Sequence, residues 1–273
     1  MSMPHRLIGS GDHRVLVLHD WFGTSSGWGP VLDCLDGEAF TYALLDYRGY
    51  GDRKTVGGAY TLAEIADDAL ALADELGWES FSLIGHSMGG KAAQQVLAQA
   101  PGRVRKLVGL APVPAGVYPL DRDGEALFYG AAQDRDKRRA ILDLVTGRRA
   151  PRVWLDLMVD RSLEWSTREA FGGYVKDWVT ADLTERITGN PVPVKVIVGA
   201  HDLALTAEVM RATWLSHYPN AELEEIPNSG HYPCTRLLWP WRPASRRSCA
   251  RERTAPQGPA RPGRPLRVRA APV

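Results

Sequence analysis

The sequence predicts an α/β fold on a mostly parallel central sheet, and three observations lead there. Short Val-, Leu- and Ile-rich runs alternate with helical patterns along much of the 273 residues. The runs are almost continuously apolar, as in strands covered on both faces. Residues able to do chemistry fall just past the ends of these runs, where an open parallel sheet gathers its ligand.

Taken in order, VLVLHD (15–20) and TYALLD (41–46) read as the first two strands. A helix follows over TLAEIADDALALADELG, 61–77. Leu62, Ile65, Ala66, Ala69, Leu72, Ala73 and Leu76 fall on one stripe at three- and four-residue spacing. Thr61 and Glu64 form a capping-box pattern at its start, and Gly77 stands where a C-terminal glycine belongs. FSLIG (81–85) is the next strand, 88–100 the next helix and RKLVGLA (105–111) the strand after it. From Pro114 to about Thr184 the alternation stops. That stretch is charged, helical in pattern and holds Trp154, Trp165 and Trp178, so it reads as a helical insertion over one end of the sheet. VKVIVG (194–199), a helix over 206–216 with Thr206 as N-cap, and AELEEI (221–226) complete the alternation. The expected organisation is a core of 1–113 and 185–233, an insertion of 114–184 and a separate tail of 234–273.

Composition bounds the function. A hydrophobic share of 44% and a charged share of 24% are those of an ordinary globular protein. Cys34, Cys234 and Cys249 are too few and too scattered for a disulfide framework or a metal cluster, which favours a reducing compartment and a cytoplasmic location. VLVLH is strand-sized; no apolar stretch approaches signal or membrane-span length. The tail holds ten arginines and one acid, Glu252, leaving 23 basic against 31 acidic residues in 1–233. An acidic body argues against nucleic acid as a partner.

The central motif is GHSMG, 85–89, a G-x-S-x-G between the strand-like FSLI and the helix-like KAAQQVLAQA. That setting is what the motif requires. A tight strand-to-helix turn lifts the Ser87 hydroxyl clear of the sheet, and Gly85 and Gly89 avoid a collision across it. A serine hydroxyl is a poor nucleophile at neutral pH and needs a base, which needs an orienting acid. Asp202 in VGAHD and His231 in NSGH each follow a strand, giving the order Ser87, Asp202, His231. Of the other histidines, His5, His13, His19, His201 and His217 read as packing or solvation, and His86 as a neighbour of the nucleophile whose side chain points elsewhere. Two backbone N–H donors for an oxyanion are expected from Met88 and from Trp21, with Phe22 as rival to Trp21.

With HDWFG (19–23), DYRGYG (46–51), GHSMGG (85–90), VGAHD (198–202) and NSGH (228–231) in this order, the chain resembles serine hydrolases of the α/β-hydrolase superfamily over about 15–233. It is similar to the small cofactor-free esterases and to haloperoxidase-like or pimeloyl-carrier methyl-esterase-like members. The resemblance implies an ester hydrolase with a Ser87–His231–Asp202 triad, no metal or organic cofactor, and a helical cap where the 114–184 insertion stands. It leaves cofactor-free perhydrolase activity, or a receptor-like ligand-binding role with slow turnover, as alternatives. The cap tryptophans and leucines suggest a small or medium apolar acyl or alcohol group, with no membrane or nucleic-acid partner.

Two departures stand out. Asp20 occupies a place where the family usually has glycine, so local strain or an altered oxyanion loop is implied. After His231 the family continues with an amphipathic helix, whereas 25 of the 40 tail residues are Arg, Pro, Ala or Gly and seven are proline. GC-rich codons read out of frame yield such a mixture; a natural disordered extension and a basic arm for nucleic acid or a membrane surface are the other readings.

Overall fold

The computed structural model describes residues 3–233, and the expectations for the tail fall outside them. Seven strands form one sheet: β1 (His5–Ile8), β2 (His13–Leu18), β3 (Phe40–Leu45), β4 (Phe81–His86), β5 (Val104–Leu110), β6 (Val194–Gly199) and β7 (Ala221–Ile226). Their order is β1-β3-β2-β4-β5-β6-β7. Every neighbouring pair is parallel except β1–β3. Six of the strands match the apolar runs.

Three differences have physical causes. β1 is only four residues, HRLI, with its two middle side chains exposed; it is an antiparallel edge and has no apolar run to betray it. β2 stops at Leu18, so His19 and Asp20 belong to the loop. There the His19 ring donates Nδ1–H to the Asp20 carbonyl at 2.7 Å, and the Tyr47 hydroxyl donates to the His19 carbonyl at 2.8 Å, replacing ladder bonds with local ones. The helix expected over 206–216 is two short pieces broken at Thr213, whose hydroxyl donates to the Val209 carbonyl one turn back.

Helix α1 (Leu62–Glu75) buries Leu62, Ile65, Ala66, Ala69, Leu72 and Ala73, the stripe read from the sequence. Each fully buried Leu or Ile contributes about 1.5–3 kcal/mol relative to exposure. Thr61 caps it by accepting from the Glu64 N–H, while the Glu64 carboxylate reaches past Thr61 to the N–H groups of Ala59 and Tyr60. Helix α2 (Met88–Gln99) follows β4 directly.

Between β5 and β6 run α3 (Arg122–Gly130), α4 (Arg135–Val145), α5 (Arg152–Trp165), α6 (Arg168–Thr180) and α7 (Thr184–Ile187). Asp121, Asp134 and Thr167 cap the first, second and fourth through side-chain acceptors. Lys91 of α2 ties this segment to the sheet layer. Its ammonium is buried and donates to the carbonyls of Gly116, Trp178 and Ala181 at 2.7, 2.8 and 2.7 Å, ahead of α3 and at the end of α6. Burial lowers its pKa to about 8, against the opposing charges of Asp182 and Asp177. α8 (Ala207–Ala212) and α9 (Trp214–His217) precede β7.

Candidate active site

Ser87 sits at the β4–α2 junction with φ 53° and ψ −117°, a strained conformation for a non-glycine residue. The turn closes so tightly that a Cβ on Gly85 would lie 2.3 Å from the Gly89 carbonyl oxygen, and one on Gly89 2.4 Å from that of Leu18. Glycine is required at both places, which is why the motif reads GHSMG. The Ser87 side chain makes no cap bond to α2.

Asp202 and His231 come from the loops after β6 and β7. Gly199 lets them meet, because its missing Cβ is where the carbonyls of Gly230 and Ser229 pass, 2.2 and 2.4 Å away. His201 N–H donates to the Ser229 carbonyl at 2.8 Å, joining the two loops. His231 Nδ1–H then donates to Asp202 Oδ2 at 2.6 Å, and the other carboxylate oxygen of Asp202 accepts from the N–H groups of Ala204 and Leu205 at 2.9 and 3.0 Å. The second bond set fixes the carboxylate, and the first leaves Nε2 of His231 as the unprotonated nitrogen of the neutral ring.

Electrostatics follow the same pattern. Burial opposes ionisation of Asp202, but the charge and hydrogen bond of His231 and the two N–H donors outweigh it and hold its pKa below the usual carboxylate value. Burial likewise pulls His231 down, yet Asp202 and, more weakly, Asp20 raise it above the ordinary histidine value. His86, fully buried, is pushed down to about 4 and stays neutral.

His86 corrects the sequence reading. Its side chain does not point away from the site: Nε2–H donates to the His231 carbonyl at 2.8 Å, and its ring lies 5.2 Å from that of His231. The His231 N–H donates in turn to the Val145 carbonyl at the end of α4. The expectation of backbone strain at Asp20 is also corrected. The non-glycine residues with positive φ among those described are Tyr60, Ser87, Ala111 and Arg148.

Ser87 and His231 line one pocket with Asp20, Trp21, Phe22, Val113, Tyr118, Phe128, Ile141, Val145, Trp178, Ala204, Leu205 and Tyr232. About 470 Å³ of space lies between its lining atoms, open mouth included. Trp178 is thus on the wall. Trp154 lies edge-on to Tyr232 at 5.6 Å, and Trp165 is instead stacked near Arg161.

Met88 is buried immediately behind Ser87, while Trp21 and Phe22 face the pocket. Among the described residues no carbonyl accepts from the N–H of Met88, Trp21 or Phe22. The loop is held firmly. The Asp20 carbonyl is taken by His19 Nδ1–H and the Gly23 N–H, the Trp21 carbonyl by the Tyr50 hydroxyl, and the Trp21 indole N–H by the Phe171 carbonyl at 2.9 Å. In a trans peptide the N–H is directed opposite to its carbonyl, so these bonds fix the direction of the Trp21 and Phe22 N–H groups. Trp21 also stacks on Phe171 at 4.1 Å. His19 was legible as the start of HDWFG, but the bond from the Trp21 indole to the Phe171 carbonyl, 150 residues away, was not.

Among the described residues, no group of three His, Cys, Asp or Glu side chains is placed to hold a metal ion, and no helix is long and apolar enough to cross a membrane.

A central parallel sheet with a strained serine turn at the end of one strand, and a histidine–aspartate pair past two others, defines a class, and the chain belongs to the alpha/beta hydrolase fold family, whose pattern matches residues 13–235. Among characterised relatives it is 28% identical over 241 residues to the pimeloyl-[acyl-carrier protein] methyl ester esterase of Yersinia enterocolitica, covering 83% of this chain and 89% of that one. It is 32% identical over 137 residues to the dihydrolipoyllysine-residue acetyltransferase component of the acetoin cleaving system of Cupriavidus necator, which is half of this chain but only 36% of that protein. An esterase from Exiguobacterium antarcticum has the same fold, with a TM-score of 0.73 at 22% identity over 86% of this chain and 89% of its own.

Proposed function

We propose that the protein hydrolyses a small carboxylic ester through an acyl-enzyme on Ser87. The observation that carries this is the 2.6 Å bond from His231 to buried Asp202, with Ser87 on a strained turn in the same pocket. Ser87 Oγ attacks the ester carbonyl as His231 Nε2 takes its proton; Asp202 orients the ring and offsets its positive charge. The N–H groups of Met88 and Trp21 hold the oxyanion. Collapse breaks the bond to the alcohol, which leaves with the proton from His231. Water then attacks the acyl-enzyme, giving its proton to His231, and the acid departs as Ser87 is re-protonated. No step requires a metal or organic cofactor.

The wall of Phe22, Val113, Phe128, Ile141 and Trp178 suits an apolar acyl or alcohol group, and the segment 114–184 acts as a lid over it. The methyl ester named for the Yersinia relative is consistent with a small alcohol. The test is turnover of p-nitrophenyl butyrate together with fluorophosphonate labelling. The wild type should turn over and label, and Ser87→Ala should do neither. Equal rates in the two proteins would refute the reading.

A further inference from the structure

The mechanism leaves Asp20 unused, although this residue lines the pocket together with Ser87 and His231. It directly precedes Trp21, whose N–H is read above as an oxyanion donor, so the two Cα atoms are about 3.8 Å apart. It is buried, and its main-chain carbonyl is already taken by His19 and Gly23. The carboxylate itself accepts one hydrogen bond among the described residues, from the Tyr232 hydroxyl to Oδ2 at 3.2 Å.

An ionised carboxylate offers about four acceptor positions, more than the Tyr232 hydroxyl can fill. His86 does not fill them. Its Nδ1 is 3.8 Å from Oδ1, too far for a hydrogen bond, and since Nε2–H is committed to the His231 carbonyl, Nδ1 of the neutral ring presents a lone pair. Oδ1 packs against the bare Cα of Gly23, where an added Cβ would stand 2.1 Å from it.

We propose that Asp20 is a specificity-determining residue: its carboxylate accepts from a hydroxyl on the α or β carbon of the acyl group, so that hydroxyacyl esters are preferred and esters bearing a second carboxylate are rejected. This rests on the serine-hydrolase reading above. A hydroxyl at that distance completes the carboxylate in a poorly screened site, whereas a second negative charge meets repulsion there.

The test uses the full chain and pH-stat kinetics on methyl butyrate, the methyl 2- and 3-hydroxybutyrates (both enantiomers), dimethyl succinate and methyl hydrogen succinate. In the wild type, kcat/KM for at least one hydroxybutyrate should exceed that for butyrate about tenfold, and the half-ester should fall about tenfold below the diester. Asp20→Asn and Asp20→Leu should both move these two ratios toward one. Each ratio is taken on a single preparation, so it is independent of how much of a variant is folded. A wild-type hydroxybutyrate ratio at or below one, or ratios unchanged in both variants, overturns the assignment while leaving the hydrolase reading intact. If no ester is turned over and fluorophosphonate does not label Ser87, the hydrolase reading fails and this one with it.

Discussion

Replacing Gly199 by alanine should disarm the histidine without touching it. The new Cβ would sit 2.2 Å from the Gly230 carbonyl oxygen and 2.4 Å from that of Ser229, both backbone atoms that no rotamer change can move. Ordinary contact begins at 3.4 Å, so the 229–230 segment must retreat by about 1 Å. His231 is the next residue, and its 2.6 Å bond to Asp202 depends on that segment. A displacement of about 1 Å at a catalytic group costs about 10²-fold in rate, equivalent to about 2.7 kcal/mol of barrier. Overpacking should also lower stability by about 1–3 kcal/mol. Gly102→Ala is the control, since nothing lies within 4 Å of a Cβ there. The measurements are kcat on p-nitrophenyl butyrate and a thermal melt for each protein. Full kcat in Gly199→Ala, or an equal loss in Gly102→Ala, would refute the steric argument.

Three further outcomes are expected. Because His231 must be neutral to accept the Ser87 proton and its pKa is raised above the ordinary value, kcat/KM should fall on acidification with a midpoint above 6.5. Asp202→Asn should shift that midpoint down and cut kcat by about 10³–10⁴-fold, which a pH–rate profile of both proteins will read. Lys91→Met strips donors from three carbonyls at the ends of the 122–180 helices. A loss of about 3 kcal/mol is expected by urea titration, and an unchanged midpoint would show that water replaces the ammonium there.

The sheet was legible where burial imposes a strong pattern, and illegible where it does not. Val, Leu and Ile fill the largely buried β2 to β6, so these stood out; AELEEI of β7 has no buried residue and was marked by its place at the end of the alternation, while the half-exposed HRLI of β1 needs its partner β3 to be a strand at all. The serine turn was legible because its glycines answer a local steric demand. Asp202 and His231 were legible because they follow strands. The bond between them depends on the close approach at Gly199, which no pattern displays. Asp20 was visible as an oddity, but its place in the pocket depends on Tyr232, 212 residues away. The break at Thr213 was hidden because a threonine inside an apolar stripe looks like any exposed helical position until its hydroxyl is seen to bond Val209.

The His231 N–H is anchored on the carbonyl of Val145, the last residue of α4, and Gly230 lies so close to Thr146 that an added Cβ would be 2.9 Å from its Cα. Val145 and Ile141 of that helix also line the pocket. The loop that carries His231 is therefore mounted on the same helix that walls the pocket. In the serine-hydrolase reading proposed above, a shift of α4 would move the proposed base and the pocket wall together.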